Sequence, residues 1–232
     1  GWYSYYGNQV MAGVPTASAV GVAGGLSQTF VNGTVYMAGA YGIWFVPYGL
    51  GSMYYDGLSG PGGVLGFPTG PQSSPGGGIR QSFANGTMYI SGVGGFTYVS
   101  TAVEKALAAA GGVTGPWGWP LGVPTSVAGG FVQDFQGGRV YVSADGVGQV
   151  VPAAMAPGYA QFGGSGGVLG FPVSPAVTVG TTTSQVFQGG TLYTDGTKSG
   201  YATSGWVANV YASHGGLATS GWGLPVGGQR IE

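Results

Sequence analysis

The sequence has no cysteine in its 232 residues, and only 5% of them are charged. The missing cysteines exclude a disulfide scaffold and a Cys-ligated zinc site. Five Lys or Arg against six Asp or Glu cannot form the basic surface that neutralises phosphates, so we expect no nucleic-acid partner. Gly and Pro interrupt every apolar stretch before the roughly 18 residues of a membrane span, so we expect none. The opening GWYSYYGNQV also lacks the basic and apolar segments of a signal peptide.

Glycine and apolar residues are abundant instead. A hydrophobic content of 44% and an aromatic content of 13% exclude a disordered chain, which lacks the apolar surface needed to offset ordering entropy. The 53 glycines follow no three-residue period, which excludes collagen. We therefore expect a folded protein whose ligand, if it has one, is neutral and is contacted by aromatic rings, hydroxyls and backbone amides.

An eleven-residue phrase occurs four times: QTFVNGTVYMA (28–38), QSFANGTMYIS (81–91), QDFQGGRVYVS (133–143) and QVFQGGTLYTD (185–195). Its first residues, Gln28, Gln81, Gln133 and Gln185, are spaced 53, 52 and 52 apart. QRIE at 229–232 fits the opening of a fifth phrase. A fixed period of this length is typical of repeat proteins, in which one copy cannot bury its apolar face alone.

A second motif, x-Gly-apolar-Pro, accompanies the phrase. Its copies are AGVP (Gly13, Pro15), LGFP (Gly66, Pro68), LGVP (Gly122, Pro124), LGFP (Gly170, Pro172) and WGLP (Gly223, Pro225). The interval from Pro to the next phrase is 13 residues three times and 9 once, which predicts a shortened loop in the third repeat. We interpret the motif as architectural, because Pro fixes φ and Gly allows close approach or an unusual φ.

The two motifs predict an all-β chain with minor short helices. We expect a single domain, 1–232, with repeats at about 12–64, 65–120, 121–168 and 169–221 and partial repeats at 1–11 and 222–232. The predicted architecture is a linear array of hairpin-based repeats that forms an elongated stalk. A closed propeller is the alternative, since repeated β units can also close into a ring.

Each phrase reads as a β-hairpin. The dipeptides Asn32-Gly33, Asn85-Gly86, Gly137-Gly138 and Gly189-Gly190 suit a two-residue type I′ turn, which needs positive φ at both positions. This turn predicts Phe30 opposite Val35 and Gln28 opposite Met37 on one face, with Tyr36 on the other. We expect the Phe face to be the core and the Gln amides to satisfy loose backbone groups.

The segments between phrases include β-rich runs at 41–46, 95–99 and 148–151. Residues 100–112 predict a helix with a capping box of Thr101 and Glu104 and an end at Gly111. Residues 204–216 give a weaker helix signal. Because Pro47 and Pro152 stand at the matching place in other repeats, the helix is predicted to be optional.

The two GGVLGFP strings (62–68 and 166–172), each followed by a Q-x-F-x-x-G-x-x-Y phrase, resemble the LGFP repeat of mycolate-containing actinobacteria. That family occurs in C-terminal extensions of mycoloyltransferases and peptidoglycan-cleaving enzymes. The resemblance implies a secreted module in the cell envelope that binds the arabinogalactan–peptidoglycan polymer, with any catalytic domain linked outside this segment. AGVP and WGLP depart from the family motif, and charge is unusually sparse.

The recurring aromatic residues are the candidate ligand contacts. The hairpin tyrosines are Tyr36, Tyr89, Tyr141 and Tyr193, and the tryptophans near the Gly-Pro motifs are Trp117, Trp119, Trp206 and Trp222. A flat ring beside hydroxyl and amide groups suits a neutral sugar. The alternative is structural: each Tyr packs under the adjacent Gly-Pro loop and bonds a backbone carbonyl, and each Trp packs between repeats.

No catalytic, metal-binding or cofactor-binding residues are predicted. His214 is followed by two glycines, and the carboxylates are scattered, so neither a triad nor a paired-carboxylate site is expected. The leading function is a non-catalytic wall-binding module. The alternatives are a purely structural spacer and, least favoured, a cell-wall hydrolase.

Overall fold

The computed structural model describes residues 12–203, 206–214 and 221–225, and for 50, 202, 203, 206–208 and 212 it describes the backbone alone. The possible fifth phrase at 229–232 lies outside this range. The chain divides into two compact units, Gly1–Glu104 with Trp119–Val123, and Lys105–Gly118 with Pro124–Glu232.

Four antiparallel sheets hold the strands, and neighbours in sequence pair with one another. Sheet 1 comprises β1 (Val20–Val22), β2 (Gly25–Phe30), β3 (Gly33–Ala38) and β4 (Gly42–Pro47), and sheet 2 comprises β5 (Ile79–Phe83), β6 (Gly86–Ser91) and β7 (Gly95–Ser100). Sheet 3 comprises β8 (Thr125–Val127), β9 (Gly130–Phe135), β10 (Gly138–Ser143) and β11 (Gly148–Val151). Sheet 4 comprises β12 (Val177–Val179), β13 (Thr182–Phe187), β14 (Gly190–Thr194) and β15 (Ser199–Thr203).

A short α-helix follows each sheet: α1 (Leu50–Gly57), α2 (Thr101–Ala109), α3 (Ala156–Gln161) and α4 (Trp206–Ser213). Single 3-10 turns lie at Gly60–Gly62, Pro75–Gly77, Gly112–Thr114 and Gly164–Gly166. The all-β prediction with minor helices is confirmed. Among the described residues no sheet closes into a barrel, and the propeller alternative is not supported.

The hairpin register differs from the prediction by two residues. Phe30 pairs with Gly33 and Gln28 with Val35, so the two-residue turn is Val31-Asn32. Neither turn residue has a positive φ, and the predicted Asn-Gly type I′ turn is wrong. Because side chains alternate with a period of two, a shift of two keeps every residue on its predicted face.

The glycine of the phrase serves close packing rather than the turn. A Cβ on Gly33 would overlap the carbonyl oxygen of Val46 in β4, and one on Gly86 would overlap that of Val99 in β7. A turn with positive φ at both central positions does occur, but at Ala23-Gly24 between β1 and β2 (φ 43° and 83°). The glycine of the Asn-Gly pair is thus needed for close packing against the strand that follows the hairpin, β4 in sheet 1 and β7 in sheet 2.

The helices predicted at 100–112 and 204–216 are present as α2 and α4. The prediction that the helix is optional is wrong, since α1 and α3 occupy the same place in the first and third repeats. The cap of α2 is also one residue earlier than predicted: the Val103 amide donates to Ser100 Oγ at 3.3 Å. Glu104 instead binds Arg80, with 2.5 Å between Nη2 and Oε1.

The third copy of the Gly-Pro motif is WGWP at 117–120, not LGVP at 121–124. Gly118 has a φ of 66°, close to the values at the other motif glycines, whereas Gly122 lacks a positive φ. Pro120 then precedes Gln133 by 13 residues, the interval found in the other repeats. The predicted shortened loop and the role given to Pro124 rested on the wrong tetrapeptide.

The core of the first compact unit combines sheet 1, α1 and sheet 2. Phe83 and Met88 of sheet 2 pack with Tyr36 and Val46 of sheet 1, and Tyr55 of α1 belongs to the same cluster. A fully buried aliphatic or aromatic side chain contributes about 1.5–3 kcal/mol. This core is therefore shared by two successive repeats, so neither repeat buries its Phe face by itself.

The second compact unit repeats this arrangement. Phe187 and Leu192 of sheet 4 cluster with Val151 of sheet 3 and with Tyr159 of α3. The phrase phenylalanines, predicted to be core, are all buried: Phe30, Phe83, Phe135 and Phe187.

The phrase glutamines bind backbone groups, as predicted. Gln81 Nε2 donates to the carbonyls of Phe45 (2.9 Å) and Gly70 (3.1 Å). Gln185 Nε2 makes the equivalent pair with Val150 and Ser174, each at 2.9 Å. Each amide thus joins its own repeat to the last strand of the preceding sheet.

Candidate functional site

The hairpin tyrosines lie inside the fold rather than on an open face. Tyr36, Tyr89 and Tyr193 are buried, and Tyr141 is half-buried. The burial of Tyr36, Tyr89 and Tyr193 argues against the predicted sugar stacking at these three residues, because a buried ring has no free face. It also corrects the structural alternative, since Tyr36 and Tyr89 donate to the carboxylates of Asp56 (3.1 Å) and Glu104 (2.7 Å), not to a loop carbonyl.

Electrostatics agree with this structural role. Burial raises the pKa of Tyr89, and the neighbouring Glu104 carboxylate raises it further. The pKa of Tyr36 is raised by burial first and by Asp56 second. Both phenols therefore stay neutral donors over the physiological range.

The candidate tryptophans differ in the exposure of their side chains. Trp117 and Trp119 are buried and pack edge-on against Phe135 (5.7 Å between centroids) and Tyr89 (6.0 Å). Trp222 is 57% exposed and stacks on His214 at 4.5 Å. The side chain of Trp206 lies outside the described part of the chain. Of the three described rings only that of Trp222 is exposed, and it lines neither of the two grooves described below.

Tyrosines of the helices, which the sequence reasoning missed, bind the motif glycines. The phenols of Tyr55, Tyr159 and Tyr211 donate to the carbonyls of Gly66, Gly170 (2.5 Å) and Gly223 (2.6 Å). The signal was available in the sequence as a Tyr eleven or twelve residues before three of the motif glycines, whereas Leu107 stands eleven residues before Gly118.

An open groove lies in the first compact unit at the ends of the hairpins. It is formed by the β1–β2 turn at Ala23, the β3–β4 turn at 39–41, and the next Gly-Pro motif at Phe67, with Asn85 at its edge. Its volume is about 340 Å³. We call it the Tyr41 groove, because Tyr41 is the aromatic residue of the β3–β4 turn that lines it.

A second groove lies in the second compact unit, with a volume of about 830 Å³. It is lined by Thr181 of the β12–β13 turn, Thr182 at the start of β13, Lys198 of the β14–β15 turn and Leu224 of the last motif. Phe162 adds an apolar surface, because its half-buried ring also lines this space. We call it the Lys198 groove.

The two grooves occupy the same place in their repeats. Counting from the motif glycines Gly13 and Gly170, Tyr41 and Lys198 fall at the same repeat position. In the first repeat the ring of Phe67 packs over Gly25, whose Cβ would collide with it. In the fourth repeat the matching residues are Leu224 and Thr182, and both line the Lys198 groove.

Asp195, at the edge of the Lys198 groove, is committed to its own turn. Its Oδ1 accepts from the amides of Lys198 (2.7 Å) and Thr197 (2.8 Å) and from Thr197 Oγ1 (2.7 Å). The Lys198 amide, followed by the Thr197 hydroxyl and amide, lowers the pKa of Asp195 to about 2. The carboxylate therefore remains ionised at neutral pH and cannot serve as a general acid.

Groups for catalysis or metal binding do not converge in the described residues. His214 Nδ1 lies 2.9 Å from the carbonyl oxygen of Val210, at the end of α4, and its ring is exposed. No three His, Asp or Glu side chains in the described part of the chain lie close enough to hold a metal ion. None of the described helices is long and apolar enough to cross a membrane.

Comparison with known families identifies one segment. Residues 65–115 match the family model described as the LGFP repeat. The match begins at the LGFP motif of the second repeat and includes the hairpin and α2. LGFP repeats are repeat modules of cell-surface proteins and are not a catalytic family. No curated protein matches the chain.

Proposed function

We propose, from the LGFP repeat at residues 65–115, that this chain is a non-catalytic module that anchors its carrier to the cell wall. Its ligand would be the arabinogalactan–peptidoglycan polymer, which it would bind through several weak contacts with neutral sugars. The chain would act outside the membrane, in the cell envelope.

The observation that carries this proposal is the recurrence of an open groove at one place in two repeats. Both grooves are bordered by hairpin turns and a Gly-Pro motif, and uncharged residues dominate both linings. Neutral ligands are usually bound in concave sites with apolar walls and a few polar groups. Two such sites on one chain suit a polymer that presents the same sugar many times.

The charge distribution supports a neutral ligand. Arg80 is engaged by Glu104, and Arg139 by Asp134, with 2.6 Å between Nε and Oδ1. Within the grooves the side chains that are charged at neutral pH are Asp195, which is held by its turn, and Lys198. Apart from these two arginines, the basic residues of the described part of the chain are Lys105 and Lys198, both exposed, so its surface offers little for an anionic polymer to bind.

Repetition also supports binding to a polymer. When two weak sites engage one chain, the second contact is intramolecular, and avidity exceeds either single affinity by about 10² or more. We therefore expect a polymer to be retained much more strongly than an oligosaccharide of the same sugars.

Retention on isolated arabinogalactan–peptidoglycan particles tests the proposal. The expected result is retention that persists in high salt, because contacts with neutral sugars are not screened. Particles of an unrelated insoluble polysaccharide serve as the control. Retention that disappears in high salt would contradict neutral recognition, and no retention at all would leave the spacer function.

A purely structural spacer is the second candidate. This function is favoured because recurring side chains form contacts within the fold. Gln81 donates to the backbone carbonyl of Phe45, and Tyr55 donates to that of Gly66. The hydrolase alternative is tested in the same experiment by measuring soluble sugar released from the particles. Release that His214→Ala abolishes would revive it.

A further inference from the structure

We propose that Tyr41 is the stacking platform of the Tyr41 groove and that this groove takes one uncharged sugar ring. This inference rests on the proposed function and assigns its binding chemistry to a residue. Tyr41 lies in the turn between β3 and β4 and is 42% exposed, so its ring is open to solvent beside the groove.

The ring of Tyr41 is supported from behind. Its centroid lies 6.2 Å from that of Phe67, and the planes are inclined by 23°, a stacked arrangement. Phe67 is itself buried in the core between sheets 1 and 2. One face of Tyr41 is thus backed by a fixed ring, which reduces the conformational entropy lost when a ligand covers the other.

The backbone of the turn is also held. Trp44 Nε1 donates to the carbonyl oxygen of Tyr41 at 2.6 Å, and the Tyr41 amide donates to the carbonyl of Ala38 at 3.1 Å. These bonds fix the point from which the Tyr41 side chain extends. An aromatic residue in such a turn has low freedom and a large flat surface, the combination that binding sites use for anchors.

Small residues around the ring let a ligand approach it. Ala23, Ala38, Gly39 and Ala40 line the groove beside Tyr41. Ala23 holds a positive φ of 43°, a conformation that costs an alanine about 1–2 kcal/mol. Ala23 thus presents only a methyl group at the wall of the groove. The amide of Asn85 supplies the hydrogen-bonding group that sugar hydroxyls require.

The other repeats show that the ring is a specific feature of the first. At the position of Tyr41 the second, third and fourth repeats have Gly94, Gly146 and Lys198. The equivalent groove of the fourth repeat thus has an ammonium group where the first has a ring. The fold shared by the repeats therefore does not require an aromatic ring at this position.

Tyr41→Ala tests the inference, with Tyr48→Ala as the matched control. Tyr48 is 48% exposed and does not border the groove, so both variants remove a tyrosine of similar exposure. Binding of soluble arabinogalactan to the full chain is measured by calorimetry, after equal melting temperatures establish folding. We expect Tyr41→Ala to weaken binding about tenfold, or about 1.4 kcal/mol, and Tyr48→Ala to leave it unchanged.

A second pair of variants blocks the groove without touching the ring. Gly39 borders the groove, and a Cβ there meets nothing within 4 Å, so Gly39→Leu is tolerated by the fold. Gly21 in β1 has equally open surroundings away from the groove, which makes Gly21→Leu its control. Only Gly39→Leu should weaken binding.

The outcomes separate this inference from the proposed function. If the unmodified chain binds and Tyr41→Ala binds equally well, the assignment of Tyr41 is overturned while the proposed function stands. If the unmodified chain does not bind arabinogalactan, the proposed function fails first, and the assignment of Tyr41 falls with it. If Tyr41→Ala and Tyr48→Ala weaken binding equally, the effect is not specific to the groove, and the assignment of Tyr41 is overturned.

Discussion

The phenol of Tyr159 donates a hydrogen bond of 2.5 Å to the carbonyl oxygen of Gly170, eleven residues further along the chain. The ring of Tyr159 also lies between those of Tyr141 (5.0 Å) and Phe187 (4.7 Å). One side chain thus joins a helix, the hairpin of its own repeat, the hairpin of the next repeat and the Gly-Pro motif between them. Tyr55 does the same in the first compact unit, with Tyr36 and Phe83 as its neighbours.

Tyr159→Phe should therefore destabilise the chain with little change in volume. The substitution keeps the ring packing but removes the donor to Gly170, and a carbonyl left without its partner in a buried site costs about 1–2 kcal/mol. Chemical denaturation measures the loss in the free energy of unfolding. Tyr41→Phe, which removes a hydroxyl at an exposed position, is the control and should change stability by less than about 0.5 kcal/mol. Equal stabilities of the two variants would refute the role of the Tyr159 hydroxyl.

Gly86→Ala should be among the most damaging single changes in the second repeat. The new Cβ would overlap the carbonyl oxygen of Val99, which is held by pairing between β6 and β7. Relieving that overlap by moving backbone costs about 3 kcal/mol. Gly39→Ala is the matched control, because Gly39 has no atom within 4 Å of its Cβ position and should be nearly neutral. Thermal unfolding of both variants compares them, and a Gly86→Ala melting temperature equal to that of Gly39→Ala would contradict the packing role.

The sequence predicted which residues face the core even though it misplaced the turn. Phe30 and Gln28 keep their predicted face because the true register differs by two residues, the period of a strand. The role of Gly33 was misread because Asn-Gly is a turn signal. In this fold Gly33 is needed instead because a Cβ at that position would overlap the carbonyl oxygen of Val46. Sequence alone does not distinguish these two uses of glycine.

Long-range features escaped prediction for a different reason. α1 contains Gly51, and α3 contains Pro157 and Gly158, residues that weaken a helix signal. The third motif copy was misassigned because WGWP and LGVP are adjacent and both fit the pattern. The 13-residue interval from Pro120 to Gln133 and the φ of Gly118 both identify WGWP as the copy. The grooves could not be inferred at all, since Ala23, Tyr41 and Phe67 belong to separate turns that only the fold brings together.

Gln81→Leu should destabilise the chain more than Gln28→Leu. Gln81 is fully buried and donates to two carbonyls, whereas Gln28 is half-buried and donates to Ala17 at 2.9 Å. Leucine preserves most of the volume, so the loss reports the hydrogen bonds: about 2–3 kcal/mol for Gln81 and about 1 kcal/mol for Gln28. Urea denaturation of each variant gives the two values. A larger effect at Gln28 would contradict the role of Gln81 as the link between sheet 2 and the Phe45 carbonyl.

Acid should remove a stabilising contribution from Asp195, because its folded-state pKa, about 2, lies below the ordinary aspartate value. A depressed pKa means that the charged form is favoured by folding, so the contribution is fully present above about pH 4, the unfolded value. It is lost as the pH falls from there through about 2. Asp195→Asn retains the shape of the turn but lacks the charge that strengthens the bonds from the Lys198 and Thr197 amides. The melting temperature of the unmodified chain should exceed that of Asp195→Asn by a constant amount between pH 5 and 7, where the carboxylate is ionised in both the folded and the unfolded chain. The difference should shrink as the pH falls below about 4 and disappear below about pH 2. A difference that grows as the pH falls would contradict this prediction, because it would show that the carboxylate destabilises the folded turn.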